Sequence, residues 1–356
     1  MSGLKEKILR LIRVQGPISI AQFMQMALTD PAFGYYMTRD PLARDFITAP
    51  EVSQMFGELI GLFFVQAWEN RGRPGHLRLV ELGPGRGTLM ADILRAAKVR
   101  PGFVSAAEII LVEASPILRD VQARTLCDAR VTWRRDLHEI PDGAPMFLIA
   151  NEFFDALPVR QFIRSSRFWH ERMVGAEGED LIFVATPDPV PATSVPEHLR
   201  EAAEGAVFEL SPVSQTLAQE IGRRIAQDGG VALIIDYGHD APGLGNTFQA
   251  VKSHRFADPL AEPGEADLTF HVDFSALAAA ARDEGARVFG PVAQGQFLES
   301  LGIRARAERL KTAAPEDGPD IDAAIDRLLG EAQMGSLFKV LALAAPASPP
   351  LPGFPC

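Results

Sequence analysis

An acid followed by three glycines at alternate positions, Glu81, Gly83, Gly85 and Gly87, is the arrangement in this 356-residue chain that most directly implies chemistry. Ahead of it Leu77, Leu79, Val80 and Leu82 form a short apolar run bounded by Pro74-Gly75, as a buried strand would be. After Gly87, Leu89, Ile93 and Leu94 recur at helical spacing, so a helix begins there. A turn of this kind, Gly83-Pro84-Gly85-Arg86-Gly87, aims backbone N–H groups and the positive end of a helix at one spot. Glycine also lets a ligand approach without meeting a Cβ. The stretch reads as a cofactor seat or, without a ligand, as a glycine-rich strand-to-helix turn. A dinucleotide turn needs G-x-G-x-x-G, and Thr88 stands where the third glycine belongs. No Gly-Lys-Ser/Thr follows either, so the phosphate-binding loop of the nucleotide hydrolases fails as well. An acid at the turn would repel a pyrophosphate but suits a ligand with cationic groups and no phosphate.

The pattern E-x-G-x-G-x-G resembles motif I of the Rossmann-like methyltransferases that use S-adenosylmethionine (SAM), and other acids fall where such a ligand would need them. The strand over Glu108 to Val112 ends in Glu113, placed to accept hydrogen bonds from both ribose hydroxyls of an adenosine cofactor. A short third strand, Val131 to Trp133, is followed by Asp136 and Leu137. In SAM enzymes that loop frames the adenine, with an acid accepting from the exocyclic amine; helix capping is the other reading of Asp136. A fourth strand, Met146 to Ala150, runs into Asn151-Glu152-Phe153-Phe154-Asp155-Ala156-Leu157-Pro158. Polar groups at the carboxyl end of a central strand sit in the ligand crevice of an open α/β sheet. Thr48, Ser53 and Gln54, at a helix start just before the first strand, could lie over the cofactor or merely belong to a packed cap.

Elements of the expected α/β fold can be read around these residues. Residues 4 to 13 and Ile20 to Leu28 read as helices, the second capped by Ser19, and Glu51 to Trp68 as a third with Met55, Leu59, Leu62 and Val65 on its apolar face. From Leu77 strands and helices alternate, which predicts a parallel sheet with helices on both faces. Val159 to Ile163, Phe168 to Val174 and Leu181 to Ala185 read as inserted strands. Phe208-Glu209-Leu210 leads into a helix to Gln227, and the strand VALIIDYG ends in Asp236. Residues 239 to 273 read as a long loop ending near His271. The expected organisation is a helical cap over 1–75, a SAM-binding Rossmann-like core over 76–158 and 230–344, an α+β insertion over 159–229 and a disordered proline-rich tail over 345–356.

Composition bounds the function. A net charge of -11 argues against a nucleic-acid partner, since phosphate neutralisation needs clustered Lys and Arg. Two cysteines, Cys127 and Cys356, give no thiolate metal site and no disulfide framework, so no metal is expected. No apolar run approaches the ~20 residues of a membrane span, and the N-terminus lacks a secretory core. The expectation is a cytoplasmic protein.

Tyr35-Tyr36, Asp45 to Glu51, the turn from Glu81 to Gly87, the block Asn151 to Pro158 and Asp236-Tyr237-Gly238 together resemble the MidA-like family of SAM-dependent methyltransferases, over roughly residues 5–344. The resemblance implies methylation of a protein arginine, with a core subunit of respiratory complex I as the candidate target and S-adenosylhomocysteine as product. Methyl transfer from a sulfonium is an in-line displacement that depends on positioning. A guanidinium stays charged, so paired carboxylates would have to localise its charge away from the attacking nitrogen. Glu152 and Asp155 are the candidates, with Glu209 or Asp236 as further acids and His271 as proton acceptor. Against each stands a structural reading: a cap for Glu152, a turn for Asp236, a packed imidazole for His271. Two other functional classes remain open, a small-molecule or other side-chain methyltransferase and a non-catalytic SAM-binding assembly factor.

Overall fold

In the computed structural model residues 3–39 and 48–355 are described, and they form two compact units. Asp45, Phe46 and Ile47 of the family resemblance lie outside the described residues. One unit comprises residues 48–154, Leu217–Asp240 and 274–355; the other comprises residues 3–39, Asp155–Thr216 and Ala241–Asp273.

The first unit carries the sheet that the glycine turn predicts. Its strands are β1 (Leu77–Leu82), β2 (Ala107–Val112), β3 (Val131–Arg134), β4 (Met146–Asn151), β5 (Gly230–His239), β6 (Arg287–Ala293) and β7 (Phe338–Ala344), in the order β6-β7-β5-β4-β1-β2-β3. From β5 to β3 neighbours are parallel. Strand β7 corrects the all-parallel expectation, because it runs antiparallel to both β5 and β6. An antiparallel neighbour re-enters at the end where β6 leaves, so the helices Gln294–Ser300, Ile303–Ala313 and Gly318–Leu329 connect the two without crossing the sheet. The chain winds outward in both directions from β1 and β4, and this reversal leaves a crevice beyond their carboxyl ends.

Helices α1 (Gln54–Asn70), α2 (Thr88–Ala97) and α3 (Pro116–Thr125) belong to this unit. The expected helix from Glu51 is interrupted at Ser53, which caps α1 by accepting from the Met55 N–H. Leu62, assigned to the apolar face of this helix, is exposed. The packing side also uses Gly57 and Gly61: a Cβ there would lie 2.5 Å from Asp92 Cβ and 2.7 Å from the Ile93 carbonyl oxygen, so α1 rides directly on the backbone of α2. Beneath them Phe64 and Phe103 meet Phe147 of β4 edge to face, with centroids 6.1 and 6.0 Å away. The proline-rich tail is ordered against this core, in place of the expected disorder, because Leu351 and Phe354 are buried and Phe354 tilts against Phe289 and Phe297.

The second unit joins helices Gly3–Gln15 and Ile20–Thr29 to the inserted strands. Leu4, Ile8 and Ile12 are buried as their spacing predicts, and Ser19 accepts from the Gln22 N–H at 3.1 Å. Ile18 pairs with Val174, so these helices are stitched to Phe168–Glu177 and do not form one cap with residues 48–75. The insertion is likewise redrawn, since residues 217–228 go with the first unit and Ala241–Asp273 with the second. The expected loop over 239–273 contains a small antiparallel sheet, Arg255–Ala257 beside Gln249–Lys252 beside Asp267–Thr269. Among the described residues no helix is long and apolar enough to cross a membrane.

Because the α1–α2 contact has no room for a side chain at Gly61, Gly61→Val is expected to lose about 1–3 kcal/mol by overpacking. Thermal denaturation checks this, and an unchanged Tm would mean that the helices do not approach as described.

Candidate active site

Strand β1 ends in the glycine turn, where Gly83, Gly85 and Gly87 have φ of +60°, +52° and +83°. Residues with a Cβ rarely adopt such angles, so the alternate glycines are a backbone requirement. The Gly83 N–H donates to the Val112 carbonyl at 3.0 Å and the Gly87 N–H to the Pro84 carbonyl at 2.7 Å, which ties the turn to the end of β2. A Cβ at Gly83 would lie 2.6 Å from the Phe153 ring, so the turn also abuts the segment after β4. Gly87 opens α2 without a side-chain cap. Glu81 supplies one from β1: burial drives its carboxyl well above the ordinary range, the Met90 N–H opposes that shift, and the Glu113 charge adds to it. Glu81 Oε2 is buried with no partner among the described residues.

Glu113, just past β2, is also buried, and burial raises its carboxyl against the lowering effects of the Ser115 N–H, the Gln122 amide and Arg119. The Ser115 N–H donates to Oε1 at 2.7 Å and Gln122 Nε2 to Oε2 at 3.1 Å. The same Gln122 nitrogen donates to the Gly85 carbonyl at 2.8 Å, and Gln122 Oε1 accepts from Trp133 Nε1 at 2.9 Å. Sequence reading missed Gln122 and Trp133. The available signal was a glutamine four residues after buried Leu118, on the inward stripe of α3.

At the end of β4 the Asn151 side chain is buried, its Nδ2 donates to Glu152 Oε1 at 3.2 Å, and its Oδ1 has no partner among the described residues. Glu152 has φ +49°, a left-handed conformation unusual for a non-glycine residue. Its Oε1 accepts from the Ala49 N–H at 2.9 Å and its N–H donates to the Ile235 carbonyl at 2.9 Å. Asp236 on β5 is wholly buried; Oδ2 accepts from the Phe153 and Phe154 N–H groups at 3.2 and 3.0 Å and Oδ1 from the Tyr237 N–H at 2.9 Å. Thr48 precedes the short helix Ala49–Val52, which reaches the turn through Glu51 Oε1, the acceptor for Thr88 Oγ1 at 2.6 Å. Gln54 is exposed at the start of α1. Asp136 is exposed and accepts from the His138 N–H at 2.9 Å, the capping geometry, while Leu137 beside it is buried.

Asp155, His271 and Glu209 belong to the second unit. The Asp155 carbonyl accepts from the Phe270 N–H at 3.1 Å, and the His271 N–H donates to Thr247 Oγ1 at 2.9 Å. That hydroxyl donates in turn to Glu209 Oε2, whose Oε1 accepts from Gln161 Nε2 at 2.6 Å. Tyr36 donates to Asp267 Oδ1 at 2.7 Å; burial, then the charges of Asp267 and Asp155, push its phenol well up.

A sheet of this order, with a left-handed glycine turn after β1 and a buried acid after β2 beside the reversal point, defines the Rossmann-like SAM-dependent methyltransferase class. The chain belongs to the family of S-adenosyl-L-methionine-dependent methyltransferases, whose sequence model matches residues 59–292. It is 39% identical to mitochondrial protein arginine methyltransferase NDUFAF7 of Mus musculus over 93% of this chain and 82% of that protein. The Homo sapiens counterpart is 38% identical over 93% and 81%. A Burkholderia thailandensis protein crystallised with S-adenosyl-homocysteine superposes with a TM-score of 0.85 at 28% identity, covering 98% of this chain and 93% of that one. The relatives are named as mitochondrial proteins, which overturns the expectation of a cytoplasmic location.

The residues present fit the cofactor of this class. SAM brings an ammonium, a sulfonium and a ribose diol, and Glu81 Oε2 and Asn151 Oδ1 are buried acceptors without partners among the described residues. A ligand rich in donors and positive charge would supply what both lack.

The raised carboxyl of Glu81 makes a pH-dependent prediction for the ligand-free protein. Its folded pKa lies above the unfolded value near 4.5, so its contribution to stability declines as pH rises through the folded value. Glu81→Gln removes that loss, and its Tm relative to wild type should rise as pH rises above the unfolded value near 4.5. A Tm difference that stays flat or falls as pH rises would show that burial does not raise this carboxyl.

Proposed function

We propose that the protein transfers the methyl group of SAM to an arginine of a protein partner, with a subunit or assembly intermediate of respiratory complex I as the target that the family resemblance implies. The observation that carries this reading is Glu152, a half-buried carboxylate on a left-handed residue at the end of β4, held by the Ala49 N–H and the Asn151 amide. A strained non-glycine backbone costs on the order of 1–3 kcal/mol and persists where its surroundings over-determine it, often at functional sites. The names of the relatives support arginine as the acceptor, since they are called protein arginine methyltransferases.

SAM supplies an electrophilic methyl carbon on a positively charged sulfur. On this reading Glu81 accepts from the ammonium, Glu113 from the ribose hydroxyls, and the Gly83, Pro84, Gly85 and Gly87 backbone lines the approach of the amino-acid end. Leu137 contributes an apolar wall for the adenine beside Asp136, and Thr48 with Gln54 borders the cofactor from the α1 side. Glu152 draws the guanidinium charge toward itself and leaves electron density on the attacking nitrogen. Asp236, with its carboxylate on the Phe153 and Phe154 N–H groups, acts as a positioning residue for that turn. The roles of Asp155 as a second acid and of His271 as proton acceptor rest on the sequence alone.

Gly85→Val should abolish SAM binding in calorimetry, because a β-branched residue does not adopt a φ of +52°; wild-type affinity would remove the turn from the cofactor site. Glu152→Gln should leave SAM affinity within about twofold while methyl incorporation falls roughly 10²-fold. The assay is radiolabelled SAM with mitochondrial extract, followed by mass spectrometry of the labelled peptide. A full-rate variant, or label found only in small molecules, would sink the arginine reading.

A further inference from the structure

Gln122 is wholly buried, and one side-chain amide meets three separate segments: the Gly85 carbonyl in the turn, the Glu113 carboxylate after β2 and the Trp133 N–H on β3. We infer that Gln122 is a positioning residue that locks Glu113 in the orientation that reads the ribose hydroxyls and couples that orientation to the glycine turn. The inference deepens, and depends on, the SAM reading proposed above.

The chemistry singles out an amide. The Gly85 carbonyl and Glu113 Oε2 are both acceptors, so the group between them must donate twice from one atom, and the Trp133 indole N–H, which only donates, requires an acceptor on the other side. A primary amide meets both demands in one orientation. Turned over, it would set its oxygen against two acceptors and its NH2 against the indole N–H. Trp133 therefore fixes which end of the amide faces the site. With Oε2 engaged by Gln122 and Oε1 by the Ser115 N–H, the Glu113 carboxylate cannot swivel, and Arg119 pins the backbone beneath it by donating to the Glu113 and Arg134 carbonyls. A carboxylate held at both oxygens presents its remaining lone pairs in fixed directions, as two adjacent hydroxyls on one ring require.

The test compares S-adenosylhomocysteine with its 2′-deoxyribose analogue by calorimetry on the full chain. A hydrogen bond to a fixed carboxylate should make wild type prefer the ribose form by about tenfold or more. In Gln122→Leu the affinity for S-adenosylhomocysteine should fall about tenfold and the preference shrink to within about twofold. A merely structural role would weaken both ligands equally, so a variant that keeps the wild-type preference overturns the inference, as does one with unaltered affinities. Trp133→Phe keeps the ring and removes the orienting N–H. It should shrink the preference in the same direction by a smaller factor, and an undiminished preference in this variant overturns the inference should Gln122→Leu fail to fold. Failure of wild type to bind either ligand would overturn the SAM reading itself, whereas binding without ribose preference would overturn only the part given to Glu113 and Gln122.

Discussion

Two buried carboxylates at the carboxyl ends of adjacent strands govern this site. Glu81 lies one residue before the end of β1 and Glu113 one residue past β2; the parallel register pairs Glu81 with Leu111 and so brings both acids to the same end of the sheet. Burial raises both, and the charge of Glu113 raises Glu81 further. The Met90 and Ser115 N–H groups and the Gln122 amide offset the cost in part. A buried acceptor left without a partner costs on the order of 1–3 kcal/mol, and on the proposed reading the ammonium of SAM would supply the donor that Glu81 Oε2 lacks among the described residues. The same electrostatics distinguish SAM from its product. On the proposed reading, loss of the sulfonium charge would remove part of the attraction to these acids, so product would be held less firmly than substrate by this term.

Placing those carboxylates is the task of the packing around them. Because Gly57 and Gly61 let α1 touch the α2 backbone, the start of α2 cannot drift from the turn that precedes it. Glu51 closes the same gap from the other side through the Thr88 hydroxyl, and Ala49, two residues earlier, donates to Glu152. One short helical turn, Ala49–Val52, thus refers the acid after β4 to the helix after β1. Sequence reading put its weight on Thr48 and Gln54 here, yet the contacts run through the intervening Ala49 and Glu51.

What could be read from sequence was local and periodic: the apolar run of β1, the alternate glycines of a strand-to-helix turn, and the acid closing β2. Each needs only its own neighbours to be recognised. Gln122 was hidden because a polar residue on a helix reads as solvent-facing unless its partners, 37 and 11 residues away in sequence, are known. Division into units was hidden for a similar reason, since the Ile18↔Val174 pairing that draws the N-terminal helices to the inserted sheet is set by tertiary packing. The tail misled through composition. Proline-rich chain commonly lacks a core to join, but Leu351 and Phe354 find one in Phe289 and Phe297. The direction of β7 was invisible because strand polarity follows from where a connection ends, which the apolar run Phe338–Ala344 does not encode.

Glu152, just past β4, and Asp236, on the neighbouring parallel strand β5, are two acids held in different ways. Three backbone N–H groups converge on the Asp236 carboxylate, so its charge is directed inward to the turn at Phe153 and Phe154. That grip, together with the Glu152 N–H on the Ile235 carbonyl, anchors the chain on both sides of the Glu152 side chain and holds its φ at +49°. A relaxed residue there would swing the carboxylate away from the Ala49 N–H and the Asn151 amide that now fix it. On the proposed reading Asp236 serves the shape of this turn. Glu152, on the same reading, keeps its charge for the cationic acceptor, and its left-handed backbone directs the carboxylate to the Ala49 N–H and the Asn151 amide.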